Sequence, residues 1–254
     1  MGRSRRQRLG QSFLVDRGVA RRVAGLLEPD PARVVEIGPG RGALTEPLLE
    51  RFDAVRAVEL DESLLPRLEE RLEGTSVELR TADALKVDLD ELLGDTAPWQ
   101  LASNLPYSVG TAILRRLLPR HDLVTRMVVM LQREVAQRVV ARPGDREHGL
   151  LALERAARAE AFLAFTVPPS AFRPRPKVTS AVVVLDLRPA TVPEPLLARA
   201  LSVAASALTR PRKMLANALP EGTAPFLEAA GIDSARRPGT LSLDEWVRLA
   251  ERVG

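Results

Sequence analysis

Val34-Val35-Glu36-Ile37-Gly38-Pro39-Gly40-Arg41-Gly42 decides the fold of this chain. A β-branched run closes in glycines at every second position. A helical pattern, Ala43-Leu44-Thr45-Glu46-Pro47-Leu48-Leu49, begins at once. The order is that of a buried strand, a tight turn and a helix start. Glycine suits such a turn because it lacks Cβ and tolerates φ > 0, so backbone can approach a ligand closely. The helix start behind it offers N–H groups without intrahelical partners.

A dinucleotide turn wants G-x-G-x-x-G to receive a pyrophosphate. Here the spacing is G-x-G-x-G, over Gly38, Gly40 and Gly42, with Glu36 just before it. A carboxylate at the mouth suits a ligand with an ammonium group better than a phosphate. A second acid, Glu59, ends the next apolar run, Val55-Arg56-Ala57-Val58-Glu59. It lies near the ~20-residue offset at which such folds place a carboxylate on ribose hydroxyls. These features fit S-adenosylmethionine better than NAD. The competing reading is a tight turn with no ligand.

The 254 residues suffice for one large domain, or for a large one and a small one. An apolar content of 45% allows a sizeable core. The chain has no cysteine and only His121 and His148, which argues against a disulfide framework and a zinc site. No metal is expected. No apolar run reaches membrane-span length, and no signal peptide is recognisable, so a cytoplasmic protein is the expectation. Net charge is +4, and only Lys86, Lys177 and Lys213 are lysines among the 37 basic residues. Guanidinium forks bind phosphates bidentately. The arm over residues 1–10 carries Arg3, Arg5, Arg6 and Arg8, which favours nucleic acid.

Asp16 reads as the N-cap of a helix from about 17 to 27. Beyond it, strands are expected near 33–37, 54–59, 76–80, 99–103 and 126–132. Helices are expected near 43–51, 62–73, 110–119 and 133–141. This βαβ rhythm predicts an α/β fold with a mostly parallel sheet, whose ligands bind at the carboxyl ends of the strands. Glu36, Gly38 and Glu59 fall there, and so does Asp83. Asp83 is placed to accept from an adenine amine, unless it is a plain N-cap.

The fourth strand runs into Ser103-Asn104-Leu105-Pro106-Tyr107. An adenine N6 amine is a poor nucleophile because its lone pair is delocalised into the ring. The Asn104 side-chain carbonyl and the Leu105 main-chain carbonyl, held by Pro106, can both accept from that amine. Doing so localises the lone pair and stabilises the positive charge that develops as a methyl arrives. Tyr107 offers a face for the base. Downstream, four prolines stiffen a loop over 166–177 that carries Phe172, Arg173, Arg175 and Lys177. A rigid basic loop with one aromatic fits a flipped-out base. The competing reading has Phe172 capping the core. His148 lies in a turn-rich surface loop and reads as structure, not catalyst.

From about Pro189 the pattern becomes helical, near 194–208, 212–219, 223–230 and 242–252. Arg210, Arg212 and Lys213 cluster at one helix start. Two domains are expected, over 1–188 and 189–254.

Together these residues resemble the rRNA adenine N6-dimethyltransferases, the KsgA/RsmA type with its Erm-type relatives, over nearly the whole chain. The likeness rests on Gln11-Ser12-Phe13-Leu14, Glu36 to Gly42, Glu59, Asp83 and Asn104-Leu105-Pro106-Tyr107. It extends to Phe172, Pro174-Arg175-Pro176-Lys177-Val178-Thr179-Ser180 and Arg212 to Leu219. The glycine turn is shared by many methyltransferases; the N-L-P-Y motif and the basic loop are narrower. The resemblance implies a Rossmann-like class I methyltransferase domain and a small all-helical RNA-recognition domain. It implies two methyl transfers from S-adenosylmethionine to N6 of adenosines in small-subunit rRNA, by a monomer acting on a precursor of the small ribosomal subunit. By the same carry-over, Gln11 and Phe13 border the donor site. Glu59 holds the ribose beside Leu60, and Asp83 and Ala84 meet the adenine. Asn104, which also borders the donor, holds the target with Leu105 and Tyr107, and Phe172 stacks on its far side. Arg173, Arg175, Lys177, Arg210, Arg212 and Lys213 contact RNA. Ser12, His148, Leu208 and Pro211 depart from the family pattern. Two alternatives are an Erm-type enzyme acting on large-subunit rRNA and an RNA-binding assembly factor with secondary catalysis.

Overall fold

In a computed structural model that describes residues 12–253, strands and helices alternate as the hydrophobic pattern requires. A two-residue strand, β1 (Phe13–Leu14), is followed by α1 (Arg17–Ala24). Asp16 caps α1, its Oδ1 accepting from Val19 N at 3.0 Å. Then come β2 (Arg33–Ile37), α2 (Thr45–Leu49), β3 (Ala54–Glu59), α3 (Leu65–Arg71), β4 (Val77–Thr81) and α4 (Leu89–Leu93). After these follow β5 (Trp99–Asn104), α5 (Gly110–Leu117), β6 (Val124–Gln132), α6 (Arg133–Val140) and α7 (Leu150–Arg158). The chain continues through β7 (Ala159–Val167), β8 (Phe172–Arg173) and β9 (Ser180–Leu187). The tail holds α8 (Glu194–Leu208), α9 (Leu215–Ala218), α10 (Phe226–Ala229) and α11 (Leu243–Val253).

Seven strands form one sheet in the order β4-β3-β2-β5-β6-β9-β7. The first five are parallel and β9 runs antiparallel to β6. Central strands covered on both faces are largely apolar. Val34, Val35 and Ile37 of β2 and Met127 to Leu131 of β6 are accordingly buried. The edge strand β4 is polar instead. There Glu78 pairs with Arg56 and Arg80, charges of the kind that discourage further strand pairing. β1 and β8 form a separate two-stranded sheet, with Leu14 opposite Phe172.

The chain divides into two units. One runs to Ala136 and returns over Ala161–Arg188; the other takes Gln137–Glu160 and the chain from Pro189 on. The expected boundary at 188/189 therefore needs an addition, because α7 belongs with the tail helices. Leu153 and Ala157 of α7 share a core with Leu197, Ala200, Ala204, Trp246 and Leu249. The alanines let α8 lie close to its neighbours, so the large side chain of Trp246 is wholly buried.

Candidate active site

The turn after β2 has the geometry its glycines permit. Gly38, Gly40 and Gly42 take φ values of 71°, 59° and 80°, a region costly for any residue with a Cβ. Their N–H groups are all engaged: Gly38 N donates to Val58 O at 2.8 Å, Gly40 N to Glu59 Oε2 at 3.1 Å and Gly42 N to Pro39 O at 2.9 Å. A Cβ on Gly40 would stand 2.8 Å from Phe13 Cδ1, so that ring packs directly on the turn. A Cβ on Gly38 would meet nothing within 4 Å and would project into open space.

Glu59, 4% exposed, is fixed by the main chain: its Oε1 accepts from Leu60 N and Asp61 N, each at 2.9 Å. The turn after β5 lies alongside, because Ser103 Oγ donates to Ile37 O at 2.5 Å and ties the ends of β2 and β5 together. Sequence reading passed over Ser103, although its place next to Asn104 was a signal. Asn104 Nδ2 donates to Ser12 O at 3.1 Å, which fixes the amide plane and leaves Oδ1 as an acceptor. Leu105 N donates to Met130 O at 3.2 Å. Among the described residues the Leu105 carbonyl accepts no hydrogen bond. Tyr107 OH and Ser180 Oγ lie 2.6 Å apart, and burial pushes the phenol above its ordinary pKa, so it stays neutral.

Two hollows meet at these turns. One, of about 440 Å³, is lined by Ser12, Phe13, Gly38, Gly40, Glu59 and the run Asn104 to Tyr107. The other, of about 670 Å³, is bounded by Ile37, Val58, Leu60, Asp83, Ala84, Val109 and Ile113. Gly38, Glu59 and Pro106 belong to both. The second is a mainly apolar slot with two carboxylates, Glu59 and Asp83, on its lining, suited to a purine; the first mixes polar and apolar groups and opens onto Asn104. A nucleoside sulfonium fits this pair: Gly38 leaves room where a side chain would intrude, and Glu59 lines both hollows.

The family model for ribosomal RNA adenine dimethylase matches residues 2–253. The chain belongs to the ribosomal RNA adenine dimethylase family. It is 41% identical over 256 residues to ribosomal RNA small subunit methyltransferase A of Desulfitobacterium hafniense, covering 96% of this chain and 91% of that one. It is 43% identical over 262 residues to the protein of the same name from Magnetococcus marinus, covering 98% and 92%. Among solved structures, the dimethyladenosine transferase of Plasmodium falciparum shares the fold, with a TM-score of 0.77 at 21% identity over 93% of this chain and 95% of that one. The 23S rRNA methyltransferase ErmE is also similar, with a TM-score of 0.73 and 26% identity over 94% and 98%. As a ribosomal RNA adenine dimethylase, the chain is an enzyme that uses S-adenosylmethionine as its methyl donor.

The cleft of this adenine dimethylase gathers most of the residues picked from sequence, with corrections. Phe13, Gly38, Gly40, Glu59, Leu60, Asp83, Ala84, Asn104, Leu105, Pro106 and Tyr107 line one hollow or the other. Asp83 also serves as a turn residue, its Oδ1 accepting from Leu85 N at 2.9 Å. Gln11 and the basic arm lie outside the described residues. Glu36 is not at the mouth. It is 1% exposed beneath the turn and accepts from Thr45 Oγ1 at 2.7 Å. Burial lifts its pKa to about 8, Thr45 opposing and the Glu59 charge adding, so at neutral pH it is mainly protonated and offers an ammonium little charge. Gly42 does not reach the cleft either: the space a Cβ would need is taken by Leu68 Cδ1, 3.1 Å away, so its role is packing against α3. Phe172 is fully buried in the core with Leu14, Val19 and Ala171, and presents no face to a base. β8 pairing with β1 puts it there.

The cations chosen from sequence, Arg173, Arg175, Lys177, Arg210, Arg212 and Lys213, are all exposed. His148 is structural: its Nδ1 lies 3.0 Å from Gly239 O, and burial lowers its pKa, leaving it neutral. Ser12 contacts Asn104 through its main-chain carbonyl, a bond indifferent to the side chain at that position.

Proposed function

We propose that this chain methylates N6 of adenosines in small-subunit rRNA, twice at each base, on a precursor of the small ribosomal subunit. The observation that supports it most is the Asn104–Ser12 bond. Because Nδ2 is spent on the main chain, Oδ1 is left to accept. Together with the Leu105 carbonyl it receives the two N6 hydrogens of a target adenine. Holding both draws the nitrogen lone pair out of conjugation and places acceptors where positive charge develops. Tyr107 stacks on the base, and its neutral phenol, held by Ser180, takes no proton. Glu59 receives the donor's ribose hydroxyls, while Asp83 and Ala84 flank the donor's adenine. The donor, when bound, supplies an electrophilic sulfonium methyl. As the N–CH3 bond forms the S–CH3 bond breaks, leaving a neutral thioether, and the proton shed by the nitrogen passes to solvent. For the second transfer one N6 hydrogen remains, so a single carbonyl suffices to orient the amine.

Arg173, Arg175 and Lys177 in one unit, and Arg210, Arg212 and Lys213 in the other, contact RNA phosphates in this reading. The unit containing the tail helices recognises RNA. No described helix is long and apolar enough to cross a membrane. In this reading the protein works as a monomer in the cytoplasm.

The test is methyl transfer from labelled donor to unmethylated small-subunit and large-subunit particles, followed by nucleoside analysis. Dimethyladenosine confined to the small-subunit particles is expected. Label in the large-subunit particles would mark an Erm-type enzyme, and label in neither would favour an assembly factor.

A further inference from the structure

Behind the glycine turn, away from Asn104, lies a third hollow of about 480 Å³. Its lining is Gly40, Arg41, Leu64, Arg67, Leu68 and Arg71. Leu64 and Leu68 are buried and form an apolar floor, while the three arginines are exposed around it. The carboxylate beside it, Glu46, is taken: Arg71 Nε donates to its Oε1 at 2.7 Å, and Arg17 also lies within its field. Arg71 Nη1 donates to the Arg41 carbonyl at 2.8 Å, locking that guanidinium to the turn. Arg41 stacks over the Phe13 ring, 4.8 Å from its centroid, and so bridges the two hollows that share Gly40. Among the described residues neither Arg41 nor Arg67 has a carboxylate within ion-pair distance. The acids of α3 itself, Glu69 and Glu70, do not line the hollow.

Two guanidiniums without a carboxylate partner among the described residues, Arg41 and Arg67, and a third, Arg71, whose Nε is paired with Glu46, surround one recess and form a site for an anion with several acceptor oxygens. Its position selects the source of that anion. One residue, Gly40, separates it from the cleft in which a target base would sit. Phe13 lines that cleft and Arg41 stacks over its ring, so Arg41 is placed to meet a phosphate next to a base that enters there.

We propose that the Arg41–Arg67–Arg71 recess is a subsite for a backbone phosphate of the RNA strand that delivers the target adenosine. This rests on the reading of the chain as an RNA methyltransferase, and it adds a contact that neither the basic loop at 173–177 nor the cluster at 210–213 supplies. Each phosphate neutralised by a protein cation releases counterions and steepens the dependence of affinity on salt.

Arg67 is the residue to change. It is exposed, lies outside the donor and target contacts, and makes no bond that the fold needs. Affinity for an unmethylated small-subunit rRNA transcript is measured against salt concentration for the natural protein, Arg67→Ala and Arg67→Lys, with thermal melting as a control of folding. Loss of one phosphate contact predicts that Arg67→Ala binds roughly three- to tenfold more weakly at low salt, with a log–log slope shallower by about one. Arg67→Lys should keep most of the slope, and donor affinity should be equal in all three. An unchanged slope in Arg67→Ala overturns the subsite while leaving the methyltransferase reading intact. If inorganic phosphate raises the melting temperature through Arg67 but the RNA slope does not change, the recess takes a free anion and the proposal also falls. If the natural protein binds the transcript without salt dependence, the RNA reading itself fails.

Discussion

Two turns at the tips of adjacent parallel strands make the cleft, and they are built in opposite ways. The turn after β2 contributes almost no side chains. Its three glycines hold left-handed backbone, and its N–H groups are consumed by Val58, Glu59 and Pro39. The turn after β5 contains no glycine between Asn104 and Tyr107, and no described residue other than glycine has positive φ. It presents an amide, a free carbonyl and an aromatic ring, on residues each tied by a hydrogen bond to another segment: Asn104 to Ser12, Leu105 N to Met130 O and Tyr107 to Ser180. The first turn works by what it leaves empty, the second by the groups it holds in place. Donor binding and amine activation should therefore separate under mutation.

The largest effect is expected on the second turn. Asn104→Ala removes one of two carbonyl acceptors, and turnover should fall by about 10²- to 10³-fold, the usual range for losing one such group. Single-turnover transfer to unmethylated rRNA measures it; a rate within threefold of the natural protein would remove Asn104 from the chemistry. A smaller effect is expected on the first turn. Glu59→Ala deletes the carboxylate shared by the two hollows, and donor affinity should weaken roughly 10- to 100-fold, as for loss of charged hydrogen bonds. Calorimetry with the donor decides this, and unaltered affinity would place the ribose elsewhere.

The smallest effect concerns the buried acid under the first turn. Because burial lifts Glu36 from 4.5 to about 8, the folded state holds a proton that the unfolded chain has lost between those values. Stability from this group is greatest below pH 4.5 and declines as pH rises through about 8. Glu36→Gln mimics the protonated form and keeps an acceptor for Thr45. Its melting temperature should match the natural protein at acid pH and exceed it by roughly a few degrees above pH 8. A constant difference across pH would show that Glu36 does not titrate in this way.

The contrast between the turns also explains what the sequence disclosed. Strands β2, β3, β5 and β6 announce themselves because buried parallel strands are largely apolar, and the G-x-G-x-G spacing marks the turn after β2. Asn104 to Tyr107 is legible because a polar residue, a proline and an aromatic at a buried strand's end have few other uses. Long-range pairing leaves no such mark. β1 and β8 are two residues each and lie far apart in sequence, so the burial of Phe172 between them and the sheet had no local sign. Glu36 falls in a strand whose alternate residues normally face opposite ways, yet both faces are covered here, and period alone does not tell a covered acid from one at a mouth. The helix α7 has the same periodicity whichever core it joins; its partners Leu197 and Trp246 lie dozens of residues downstream.

The most direct test of the separation is calorimetric titration of S-adenosylmethionine into Asn104→Ala beside the natural protein. Phe13 and Leu14 remain held in the variant by the β1–β8 pair, and the chain just beyond them by Val15 N donating to Ala171 O at 2.8 Å. The dissociation constant should therefore stay within about twofold while methyl transfer is lost. A donor affinity that falls in step with turnover would contradict the account, because Asn104 would then be part of the donor site and not the group that readies the amine.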